Sequence, residues 1–114
     1  MSQLDELQKE KCSKFNADYE PVDLDLMLGI SKNFFSGMLP LNGLRHPQQA
    51  QSCGWFLWAG EQFSDAPDFF EVWHVRHLVE RHSHIAPYLG LAPGWRFLVA
   101  GEYEDVWFDP RYLC

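Results

Sequence analysis

No two cysteines in this chain form a close pair. Cys12, Cys53 and Cys114 are odd in number and far apart, which excludes a disulfide framework or a zinc ribbon and leaves reduced thiols. Basic residues are also scarce, 9 against 16 acidic ones, giving a formal charge of −7. Such a surface repels a phosphate backbone, so no nucleic-acid partner is expected. No uninterrupted apolar run is long enough to span a bilayer, and the opening MSQLDELQKEK lacks the apolar core of a secretory signal. The expectation is a cytoplasmic protein with no membrane partner. No tract is biased enough for disorder, and no repeat recurs. The glycines form no phosphate-binding loop, and no serine or cysteine has a recognisable nucleophile setting, which points to a non-catalytic protein without a cofactor.

What is present is enough for one core. A chain of 114 residues that is 46% hydrophobic and 16% aromatic fits a single domain over 1–114, with 1–22 as an N-terminal extension or helix. Leu4, Leu7 and Phe15 stand at helical spacing among good helix formers, predicting a weak amphipathic helix over 3–15. Strand signals fall at Met27–Ser31, at the aromatic run Gly54–Glu61, and at Trp95–Ala100 and Tyr103–Phe108, the last two joined as a hairpin near Gly101 and Glu102. Apolar residues on both parities of Gly54–Glu61 predict a central strand covered on two sides. The Gly, Pro, Asn and Gln content of 37–52 reads as a long connection. Asp68 and Glu71 have the spacing of a helix-capping pair, so a helix is predicted from there to about His82. The expected fold class is α+β: a small, mainly antiparallel sheet of about four strands, one central helix packed on it, and the weaker N-terminal helix.

The most chemical-looking stretch is WHVRHLVERHSH, Trp73 to His84, with four of the five histidines. On a helix advancing about 100° per residue, Val72, Val75, Leu78 and Val79 mark one buried face and His82 falls inside it, while His74 and His77 lie on the flank. Only His74 and His77 could share a metal ion, with Glu71 as a third candidate ligand, and His84 would lie about 10 Å further along the axis from His77. A metal-binding protein or metal-dependent enzyme centred on Glu71, His74 and His77 is therefore the alternative to a plain helix flank.

The carboxylates are clustered. Glu61, Asp65, Asp68 and Glu71 stand in a stretch from Gly60 to Val75 that has no Lys or Arg, and Glu102, Glu104, Asp105 and Asp109 in another from Phe97 to Pro110. Trp107 lies two residues from both Asp105 and Asp109, which on a regular strand sets an aromatic among carboxylates. Either these residues (Glu61, Asp65, Asp68, Glu102, Glu104, Asp105, Trp107 and Asp109) form an acidic edge for a basic protein partner, or they are a solvated rim over a buried tryptophan.

One set of landmarks resembles a known family. Ile30-Ser31-Lys32, then SCGWFLWAGEQFSDAPDFF (Ser52 to Phe70), Pro87-Tyr88-Leu89 and APGWRFLVAGEYEDVWFD (Ala92 to Asp109) resemble the bacterial immunity-protein family numbered thirty-three, whose members are often encoded beside polymorphic-toxin genes. The resemblance covers roughly residues 27 to 110 and departs from the pattern in the Gln-rich connection 42–51 and the extra histidines. It implies a small cytoplasmic α+β protein that binds and neutralises a cognate toxin without catalysis. An adaptor domain with no toxin partner is the remaining alternative.

Overall fold

The computed structural model describes residues 3–60 and 69–113. Glu61, Asp65 and Asp68, and with Asp68 the capping pair, lie outside them.

The N-terminal helix α1 spans Gln3–Lys14, with Asp5 and Glu6 in its first turn and Lys11 and Lys14 in its last, the charge order that the helix dipole favours. It does not bury the expected leucine stripe: Leu7 is 48% exposed, whereas Gln8 and Cys12 are buried. The reason is what α1 packs against, the 3-10 turn Ala86–Gly90. Buried carbonyls need donors. The Gln8 amide donates to the Ala86 carbonyl at 3.1 Å, and the Cys12 thiol reaches the Gly90 carbonyl at 3.6 Å. Gly90 allows that approach, since a Cβ there would come within 2.7 Å of the Gln8 Cβ.

Six strands form one sheet: β1 (Met27–Ser31), β2 (Leu41–Arg45), β3 (Ser52–Ala59), β4 (Phe70–His74), β5 (Trp95–Ala100) and β6 (Tyr103–Phe108). Their order is β4-β1-β3-β2-β5-β6, antiparallel throughout except for the parallel pair β1 and β3. With two α-helices among the described residues, the architecture is α+β. The expected hairpin and the expected strand at 27–31 are present, and the aromatic run becomes β3, third in the order.

Two expectations are corrected. The supposed connection 37–52 contains β2, whose loop-like residues have specific tasks. The Asn42 amide donates to the carbonyls of Pro40, Trp58 and Gly60, and Gly43 leaves room for Phe97, whose ring would come within 2.2 Å of a Cβ there. The helix predicted from Asp68–Glu71 starts later. Phe70–His74 pairs with β1 as an edge strand, and α2 occupies only Val75–Arg81, with His74 at its N-cap and His82 at its C-cap. Aromatic and β-branched residues in FEVWH favour the strand, and β1 supplies the backbone partners. Val75 and Leu78 are buried as expected, but Val72 is 69% exposed.

Strand register places the core on one side of the sheet. Ile30, Leu57, Gly43, Phe97 and Val106 are successive cross-strand partners, and their row lies under the 3-10 turn and both helices with Trp55, Leu78 and Leu89. The Trp55 indole N–H donates to the Leu89 carbonyl at 3.0 Å. Beside it, the Arg45 side chain is 2% exposed and donates to the carbonyls of Leu91 at 2.7 Å, Glu20 at 2.9 Å and Cys53 at 3.3 Å. Lysine would keep the charge but could not fan out to those carbonyls. Arg45→Lys is expected to lower stability by about 2–3 kcal/mol, seen in urea unfolding as a lower midpoint with unchanged slope.

Candidate functional site

The other face of the sheet is a second side-chain row. Val72, Gly29, Phe56, Leu44, Arg96 and Trp107 are successive partners across all six strands. Next to it run Trp58, Asn42, Leu98 and Asp105, with Ser31 and Phe70 paired at the β4 end. Leu44 and Trp58 are buried on this face yet lie outside the main core cluster. The described helices and the 3-10 turn at 86–90 pack on the opposite side.

At the β5–β6 end the face is built around Arg96. Its guanidinium carbon lies 5.1 Å from the Trp107 ring centre and 5.9 Å from that of Trp58, within cation–π range of both. Asp109 stands 3.7 Å from the same guanidinium. Arginine and tryptophan are the residue types that dominate binding hot spots.

The sequence-predicted carboxylates separate into two kinds. Glu104 points to the core side and is held by α1 and the 3-10 turn: it accepts from Lys14, from the Tyr88 hydroxyl and from Lys11 Nζ at 2.9 Å. These hydrogen bonds, Lys14 first, pull its carboxyl down to about 2. Asp109 is buried, accepting from Arg111 Nη2 at 2.7 Å and Nε at 2.9 Å. Arg111 is the main cause of its carboxyl also falling to about 2. The expectation that the hairpin carboxylates are unpaired therefore fails for Glu104 and Asp109. Glu104's partners were invisible locally, as Lys11 is 93 residues away, whereas Asp109's partner Arg111 stands only two residues on. Glu102 in the turn and Asp105 on β6 are exposed, and Trp107 is half-buried beside Asp105's row. Asp105 also accepts the Val106 N–H. Tyr103, 59% exposed, adds an aromatic that the carboxylate pattern had not singled out.

The candidate metal ligands are not gathered. Glu71 and His74 are three apart on a strand, so they point to opposite faces, Glu71 in the Ile30 row and His74 in the Met27 pair. His74 and His77 stay close, ring centres 5.5 Å apart. Among the described residues, no group of three His, Cys, Asp or Glu side chains is placed to hold a metal ion. His82 instead stacks on Phe35, ring centres 3.8 Å apart.

A family model described as the Imm33-like domain matches residues 7–109, nearly the whole described fold. The chain belongs to the Imm33-like family. The match starts inside α1, so the Imm33-like unit includes the helix that holds Glu104. Searches of curated proteins and of solved structures return no match. Among the described residues of this Imm33-like domain, no helix is long and apolar enough to cross a membrane.

The residues of this second row that local pattern missed, Phe56, Val72 and Arg96, carry one usable signal. Period-two parity through FEVWH places Val72 with Phe70 and away from Trp73, whereas a helical wheel places it with Val75.

Because its folded-state pKa is depressed, Glu104 contributes stability that is fully present above the ordinary value of 4.5 and is lost as pH falls toward about 2. Glu104→Gln is expected to destabilise the Imm33-like domain by about 1.5–3 kcal/mol at neutral pH. The gap to the wild type should close on acidification through that window, as followed by circular dichroism in urea.

Proposed function

We propose that this Imm33-like domain is a non-catalytic immunity protein acting in the cytoplasm, where it binds and neutralises a cognate protein toxin. The observation that carries the reading is the family membership over residues 7–109. An aromatic sheet face on which no described helix packs supports it. The β5–β6 end of that face offers Trp107 and Tyr103 for contact, with Asp105 and Glu102 as an acidic margin for a basic toxin surface. Glu104 and Asp109 act one step back: they fix the hairpin to α1 and hold Arg96 in place. Glu61, Asp65 and Asp68, outside the described residues, remain candidate contacts by sequence alone, and the reading does not require them. The net charge of −7 favours fast encounter with a basic partner.

Co-expression with the adjacent toxin gene is the direct test. Growth should be restored by the wild type, and a purified pair should co-elute. An adaptor domain would give neither. In the double variant Glu102→Lys and Asp105→Lys, association with that toxin should slow by about 10-fold at low salt, and the difference should shrink toward physiological ionic strength. Equal association rates at every salt concentration would remove the acidic margin from the mechanism.

A further inference from the structure

The connection between β1 and β2 concentrates exposed apolar surface. Among the described residues seven large hydrophobic side chains are exposed, and Phe35 at 41%, Met38 at 48% and Leu39 at 53% are three of them within five positions. Residues 33–40 carry no charged side chain. The loop is nevertheless tied down from within. Phe34 is buried in the core, the Asn33 amide donates to the Ala59 carbonyl at 3.3 Å, and the Ser31 hydroxyl donates to Asn33 Oδ1 while accepting the Ala59 N–H at 3.3 Å. The Ser36 N–H and hydroxyl both donate to the Asn33 carbonyl, at 3.0 and 2.7 Å, and the Phe35 ring stacks on His82 at the end of α2. Gly37, at φ +93°, then turns the chain ahead of Met38 and Leu39. Apolar side chains held outward by an ordered loop lose little further entropy when a partner covers them.

Strand register brings this loop to the hairpin turn. Leu41, the first residue of β2, pairs with Ala59 at the end of β3 and with Val99 near the end of β5, and Ala100 pairs with Tyr103 across the turn. The 32–40 loop and the 101–102 turn therefore leave the same end of the sheet. Adjacent strands are about 4.8 Å apart, so the start of β2 and the start of β6 are about 10 Å from each other. Tyr103, 59% exposed, adds a fourth apolar group to this end, and exposed Glu102 in the turn adds a carboxylate at its rim.

We propose that the 33–39 loop is a preformed binding loop that inserts Met38 and Leu39 into an apolar cleft of the toxin, with Tyr103 against the cleft wall and Glu102 facing a basic rim. Charge selects this occupant. A second copy of the chain carries −7, and an anionic bilayer surface repels the same charge, whereas a basic protein is attracted. The proposal rests on the immunity reading and adds an apolar anchor to its acidic margin. The carboxylates govern encounter, and the loop governs residence.

The test uses the purified product of the adjacent toxin gene and the double variant Met38→Ser with Leu39→Ser, which removes apolar surface and leaves the net charge unchanged. Its dissociation rate should rise by roughly 30-fold, with association changed less than threefold. Leu7→Ser, an equally exposed leucine on α1, should dissociate as the wild type does. Hydrogen exchange on the wild-type complex answers independently of any variant: slowed exchange over residues 35–39 is expected, and unchanged exchange there overturns the proposal. Wild-type dissociation from the folded double variant removes the loop and leaves the immunity reading standing. No wild-type complex sinks both. Two further outcomes overturn the proposal by giving the loop another occupant: sedimentation of the wild type, but not the double variant, with phosphatidylglycerol vesicles, or a dimer of the free protein that the double variant abolishes.

Discussion

The fold depends on a buried guanidinium. Arg45 sits at the end of β2 against Trp55, 5.8 Å from its ring centre, and takes carbonyl acceptors from three parts of the chain. Two of them, Glu20 and Leu91, belong to the irregular segments on either side of the covering layer. Tyr19 and Leu91 form a lone bridge beside them, and Glu20 N–H bonds the Gly90 carbonyl at 2.8 Å. Burial lowers the guanidinium's pKa, and the Glu20 carboxylate at 3.9 Å offsets only part of that. The charge is tolerable because its donors are hydrogen-bonded, and a residue with fewer directed donors would leave buried carbonyls without partners.

The described helical layer lies on one side of the sheet. Both helices and the 3-10 turn at 86–90 are drawn to the Arg45 side, and the main hydrophobic cluster lies there. The same asymmetry sorts the hairpin's carboxylates. Along β6, Glu104 falls on the covered side, where two lysines of α1 and the Tyr88 hydroxyl meet it, while Asp105 falls on the open side. One step in strand parity thus separates a carboxylate that holds the fold together from one that faces outward. Asp109 lies just past the strand and is occupied by Arg111 and Arg96.

Much of this was legible in residue pattern, and the exceptions have physical causes. The hairpin, β1, the aromatic strand and the span of α1 follow from alternation, composition and turn residues. β2 was hidden because Asn42 and Gly43 are loop residues by propensity; here they serve as a carbonyl-satisfying amide and as space for Phe97. β4 was absorbed into a helix because Val72, Val75, Leu78 and Val79 keep a helical stripe across a boundary that only pairing with β1 defines. That error also created the apparent metal site, since Glu71, His74 and His77 share a flank only if one helix carries all three. The status of Glu104 could not be read locally, because its partners Lys11, Lys14 and Tyr88 lie on separate elements; that of Asp109 could have been, since Arg111 stands two residues on.

Val72 on the edge strand β4 and Tyr103 on the edge strand β6 leave apolar surface exposed at the two margins of the sheet, a hazard for a free protein, because identical copies could pair edge to edge. Here the charge works against that outcome. Two copies approaching each other both carry −7, and their repulsion acts before any apolar contact forms. A basic partner meets the opposite sign over the same distance. The acidic excess therefore disfavours self-association at the stage of encounter, which lets those apolar edge residues stay exposed. Salt weakens repulsion and attraction together, so solubility of the free protein and speed of complex formation should fall along the same ionic-strength axis.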